Sequence, residues 1–103
     1  MEEKVMSKIT QSARGEQCTM KLPWIGYHNP ETVVYAHSNK LKHGKGMGKK
    51  ANDEFGAYLC YRCHAIVDGH EKRPDYISKE YVDNMFEEAM TKTREKLREK
   101  GLL

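Results

Sequence analysis

The stretch LCYRCHAIVDGH, residues 59–70, constrains this chain more than any other. It sets Cys60 and Cys63 at CxxC spacing, follows them at once with His64, and adds Asp68 and His70. Two thiols on one turn of chain serve few purposes. A dithiol redox pair belongs at a helix N-terminus inside a thioredoxin-like βαβ chain, and no such pattern is present. CxxCH matches haem attachment literally. That chemistry normally goes with export, and MEEKVMSKITQSARGEQC, the first 18 residues, has no apolar run of the kind a secretory leader needs. We therefore expect a cytoplasmic protein. Its three cysteines would stay reduced there, which favours metal binding over disulfides.

A structural zinc site takes four ligands. Cys18 supplies a third thiol, and with no fourth cysteine the last ligand is a histidine, an acid or water. His28, ten residues after Cys18, is the best-placed histidine, with His43 and His70 as alternatives. The expected zinc ligands are thus Cys18, Cys60, Cys63 and His28. Composition makes such a staple useful. The chain has 103 residues, 38% hydrophobic and 32% charged, which is one small domain with a thin core. No apolar run approaches the ~20 residues of a membrane span.

Turn residues and periodicity divide the chain into an N-terminal arm (1–15), a central region (16–77) and a C-terminal helix (78–103). The arm has room for one helical turn. TVVYAH (32–37) and GAYLC (56–60) read as short strands, rich in β-branched and aromatic residues. Gly44, Gly46 and Gly48 make residues 38–50 a loop, and a short helix should run from Tyr61 or Arg62 to about Val67, stopped near Gly69. From Ser78 to Lys100 the residues Tyr81, Val82, Met85, Phe86, Ala89, Met90, Thr93 and Leu97 share one helical face. That stripe packs on the domain or, in the alternative, forms a homodimer interface. Ser78 can cap this helix and Gly101 can end it.

The net charge of +3 is unevenly placed. Lys40, Lys42, Lys45, Lys49 and Lys50 lie in one acid-free stretch, whereas residues 71–100 carry eight bases and eight acids. The lysine stretch is either a solvated loop or a phosphate-contacting one. His37 leads into it, either as an ordinary strand-end residue or as a general base, since histidine titrates near neutrality. His64 and Asp68, four residues apart on one helical face, form either a surface pair or two ligands of one divalent cation.

The ordered set NPETVVYAH (29–37), GKGMGKKANDEFGAYLCYRCHAIVDG (44–69) and CTMKLP (18–23) resembles the HNH (His-Me finger, ββα-metal) endonucleases. Within these it is most similar to the small phage and prophage proteins of the YbcO-like "putative nuclease" family. The matching segments cover about half the chain. The resemblance implies a small α+β fold with a ββα-metal core, and a DNA endonuclease acting in a bacterial host cell. It implies His37 as general base, Asp53 beside Asn52 as the residue orienting base or loop, and His64 with Asp68 as ligands of a catalytic Mg²⁺ or Mn²⁺, or of Zn²⁺. The lysines of the loop, with Arg62, would contact phosphates. No sequence-reading module such as a helix-turn-helix is present, so weak sequence specificity is expected.

Two positions depart from the family pattern. A second cysteine is expected about where Gly26 stands, and His28 is the candidate substitute. The residue before the catalytic histidine is often an acid and here is Ala36, which suits a hydrated ion with few protein ligands. Two other readings follow from the same residues. One is a zinc-binding module that binds nucleic acid without cleaving it. The other is a small interaction protein docking through its C-terminal helix.

Overall fold

The computed structural model describes residues 8–38 and 55–103. In chain order it contains a one-turn helix α1 (Lys8–Gln11), a 3-10 turn (Pro30–Thr32), strands β1 (Val34–His37) and β2 (Gly56–Leu59), helix α2 (Tyr61–Asp68) and the long helix α3 (Lys79–Glu99). This is a small α+β fold with a two-stranded sheet. The loop lysines Lys40, Lys42, Lys45, Lys49 and Lys50, together with Asp53 and His43, lie outside the described residues.

Both strands are shorter than the sequence suggests, for local reasons. The Asn29 side chain accepts the Glu31 N–H at 3.0 Å and the Thr32 hydroxyl donates to the Asn29 carbonyl at 2.7 Å. Those bonds wind residues 30–32 into the 3-10 turn and delay β1 to Val34. At the other end, Cys60 leaves the ladder to become the N-cap of α2, with φ −69° and ψ 167°. Gly69 stops α2 at φ 81°, a left-handed conformation that glycine adopts without a Cβ penalty.

The strands pair antiparallel, with Val34 opposite Leu59, Tyr35 opposite Tyr58, Ala36 opposite Ala57 and His37 opposite Gly56. The Ser38 N–H donates to the Phe55 carbonyl at 2.8 Å and extends the ladder by one bond. Tyr58 turns its backbone polar groups away from β1. Its N–H donates to the Thr93 hydroxyl at 3.1 Å, and its carbonyl accepts both the Thr19 N–H at 2.8 Å and the Thr19 hydroxyl at 3.0 Å. The two threonine hydroxyls lie 3.1 Å apart. Because Thr19 spends its proton on Tyr58, Thr93 donates to Thr19, and the network closes on itself. The outer edge of β2 is thereby satisfied inside the core, where an unmade bond is costly.

All four residues of β2 are buried, and α3 covers them. Ser78 caps α3 by accepting the Tyr81 N–H at 3.0 Å. The apolar stripe turns inward as expected: Val82, Phe86, Ala89, Met90, Thr93 and Leu97 are buried. Met85 is partly buried against the same core, and Tyr81 stays 37% exposed at the edge. Residues 8–16 lie against this assembly. Ser12 Oγ meets the Tyr58 hydroxyl at 2.7 Å, and Glu16 holds Lys100 at 2.6 Å. Among the described residues no helix is long and apolar enough to cross a membrane.

Candidate functional site

Cys18, His28, Cys60 and Cys63 come together from three places in the chain. The Thr19–Tyr58 backbone bond sets Cys18 alongside the end of β2, two residues before Cys60. Cys60 caps α2 and Cys63 lies in its first turn. His28 arrives from the turn that precedes Asn29. One ligand atom from each residue lies within 4.8 Å of all the others. His28 Nδ1 is 3.2 Å from Cys60 Sγ and 3.5 Å from Cys63 Sγ. A tetrahedral ion with metal–sulfur bonds near 2.3 Å and metal–nitrogen bonds near 2.0 Å would hold its ligand atoms ~3.5–3.8 Å apart. The cluster is thus close to the size of an ion's coordination shell, and the four residues could hold a structural metal such as zinc.

The electrostatics favour a cation. All three thiols are buried. A hydrogen bond from the Cys63 thiol, with backbone N–H groups of Cys60, Lys21 and Met20, pulls Cys18 down from 9.0 to about 4 against the effect of burial. Cys60 is pushed up, chiefly by burial. Cys63 is pushed up by its bond to Cys18 and by burial. The site alone therefore tolerates one thiolate, and a dication would release the other two protons. The Lys21 N–H lies 3.4 Å from Cys18 Sγ, and Lys21 takes a left-handed φ of 46°, rare for a residue with a side chain. The N-terminus of α2 adds its positive end beside Cys60 and Cys63.

On the same helix, His64 Nε2 lies 3.1 Å from Asp68 Oδ2, and both side chains are about one-third exposed. This is the contact of an ordinary i, i+4 pair. It is also the separation of two donor atoms on one ion with bonds of ~2.1 Å at right angles. His37 closes β1, half-buried, with the Tyr35 ring edge-on at 5.1 Å between centroids. Arg62, expected at phosphates, has a partner of its own: its Nη2 donates to Glu71 Oε2 at 2.6 Å and its Nε to Glu71 Oε1 at 3.3 Å. That bidentate pair raises Arg62 and lowers Glu71. Thr19 and Thr93 escaped the sequence reading as residues that build the site. A threonine in an otherwise apolar helix stripe was the signal for Thr93; Thr19 had none.

A family model described as "Putative nuclease YbcO" matches residues 7–102. The chain is 30% identical over 89 residues to "Putative nuclease YbcO" of Escherichia coli (strain K12), covering 86% of this chain and 88% of that protein. "Putative nuclease ybcO" of Enterobacteria phage 82 matches to the same extent. Among solved structures, one described as a putative bacteriophage protein from Escherichia coli str. K-12 substr. MG1655 superposes with a TM-score of 0.68 at 26% identity. It spans 89% of this chain and 98% of that one. With the family model covering nearly its whole length, the chain belongs to the "Putative nuclease YbcO" family.

Proposed function

We propose that this protein is a metal-dependent DNA endonuclease of the HNH (ββα-metal) type. The observation carrying this reading is the order of elements around two histidines. His37 closes β1, β2 returns antiparallel, and α2 follows directly with His64 on it. The family's nuclease name supports the same reaction class.

In this reading Cys18, His28, Cys60 and Cys63 hold a structural Zn²⁺. It ties the residue-18 and residue-28 turns to the start of α2, and so fixes the sheet relative to the helix. His64 and Asp68 would hold a divalent ion, Mg²⁺ or Mn²⁺, which would supply positive charge against the negative charge that builds during phosphodiester cleavage. His37 takes a proton from water at its unprotonated ring nitrogen. The hydroxide forms a bond to phosphorus, the bond to the 3′ oxygen breaks, and that oxygen leaves with a proton from solvent. Asp53 orients His37 or the loop after it. Lys40, Lys42, Lys45, Lys49 and Lys50 hold the phosphate backbone without reading sequence, and Arg62 joins them when it exchanges Glu71 for phosphate.

The test is nicking of supercoiled plasmid across a panel of divalent metals. Wild type should cleave with Mg²⁺ or Mn²⁺ and stop with excess chelator. His64→Ala should bind DNA with unchanged affinity at low salt but lose cleavage while keeping its zinc. Cleavage by His64→Ala at the wild-type rate would refute the proposed ion site. Ala36, where the pattern often has an acid, favours a second reading, a zinc module that binds DNA without cutting it. Binding without nicking under every metal would select that one.

A further inference from the structure

We infer that Tyr35, admitted by the missing side chain of Gly56, is the positioning residue that sets the orientation of the His37 imidazole. The inference rests on the reading of His37 as general base for its catalytic consequence, but its structural content stands apart from it. Gly56 is directly opposite His37 in the ladder. The two flank the Ser38–Phe55 bond and form a non-hydrogen-bonded pair, the kind in which facing side chains come closest. A side chain at position 56 would therefore face the imidazole. Instead the Tyr35 ring leans over that spot. A Cβ at Gly56 would stand 2.5 Å from Tyr35 Cε2, 2.8 Å from Cζ and 2.9 Å from the Ala36 carbonyl oxygen.

The ring so placed meets two others. It lies edge-on to His37, at 5.1 Å and 84°, and to Tyr58, at 6.0 Å and 70°. Tyr58 is fully buried and its hydroxyl is held by Ser12. Tyr35 itself is 6% exposed. Two packed rings, Tyr58 and Tyr35, thus link Ser12, just past α1, to a half-buried histidine at the strand end. Edge-to-face pairs favour particular ring orientations as well as proximity. A base must present one nitrogen to its water, and a displacement near 1 Å costs on the order of a hundredfold in rate.

The experiment uses full-length, zinc-loaded protein and reads two quantities. The first is the NMR position of the His37 imidazole signals, which the Tyr35 ring current displaces whether or not the protein cleaves anything. The second is plasmid cleavage with Mn²⁺, resolved into kcat and KM. Tyr35→Leu, which keeps a buried side chain without a ring, should move the His37 signals towards the position of an exposed histidine. It should lower kcat roughly ten- to a hundredfold with KM little changed. Tyr35→Phe should hold both near wild type. Gly56→Ala should act as Tyr35→Leu does, and the leucine variant carries the test if the alanine one does not fold. His37 signals that stay at the wild-type position in Tyr35→Leu would overturn the inference. So would a wild-type kcat in Tyr35→Leu when His37→Ala is inactive. Should His37→Ala cleave normally, the base assignment fails and the catalytic part of the inference with it, while the NMR shift still tests whether the Tyr35 ring lies on the imidazole in solution.

Discussion

Three thiols and an imidazole within 4.8 Å of one another are an awkward group to bury without a cation. Cys18 gives up its proton readily, and that same thiolate helps hold the protons on Cys60 and Cys63. A dication reverses the balance by making all three thiolates favourable. The sign for acidification follows. Groups whose pKa is raised regain protons at higher pH than the one whose pKa is lowered, so Cys60 and Cys63 protonate first and Cys18 holds out towards about 4. We predict that zinc release on acidification is coupled to proton uptake by Cys60 and Cys63 ahead of Cys18, measured with a chromophoric chelator against pH. Release that does not vary with pH would contradict this. That Cys60, Cys63 and Cys18 come together was legible because thiols in a chain without disulfides have few other uses, and His28 joined them as a candidate because the count of cysteines left one place open. The left-handed turn at Lys21 was not legible, since no glycine or asparagine marks it. The Arg62–Glu71 pair was hidden for another reason. It depends on how the chain turns after Gly69, and sequence spacing alone does not give that.

At the scale of elements, β2 is the part on which everything is hung. One edge pairs with β1, and the other is closed by the hydroxyls of Thr93 from α3 and Thr19 from the Cys18 turn. Replacing Thr93 by valine keeps the shape and removes the acceptor for the buried Tyr58 N–H. The expected cost is about 1–3 kcal/mol, read as a lower urea midpoint with zinc content unchanged. A midpoint equal to wild type would show that the network adds nothing. Helix α3 was readable from its 3.6-residue stripe and its Ser78 and Gly101 signals, and Thr93 was already counted within the stripe. What Thr93 bonds to was not readable, because the partner is 35 residues away. The strands were found by composition but drawn too long at Thr32 and Cys60. In both places a side-chain or capping role outcompeted the ladder. The Tyr35–Gly56 contact likewise needs the strand register, which short strands with a long connection do not declare.

For the molecule as a whole, we propose that a metal at the cysteine–histidine cluster and the apolar core divide the task of stability. The core is α3 laid on a two-stranded sheet, with Ser12, just past α1, bonded to Tyr58 and Glu16 paired with Lys100 near the end of α3. The segment from Thr19 to Thr32 has no strand or α-helix; the Thr19 hydrogen bonds and buried Met20, Leu22 and Ile25 hold its first part, and a metal on Cys18 and His28 would add a tie to the start of α2. Structural zinc sites supply about 10–16 kcal/mol of apparent binding free energy in small peptides, comparable to the ~5–15 kcal/mol that stabilises a whole domain. We therefore predict that chelation abolishes the cooperative thermal transition and that added zinc restores it. A sharp transition persisting in metal-free protein would mean the core suffices alone. The family resemblance was legible from ordered motifs, whereas the loop lysines and Asp53 fall outside the described residues and stay expectations. In the proposed function this frame presents His37 to a phosphodiester. Cleavage of plasmid by wild type and by His37→Ala, at equal zinc content and with Mn²⁺ present, tests this. We predict a loss of about 10²–10⁴-fold in rate with DNA binding retained, and equal rates for the two proteins would contradict it.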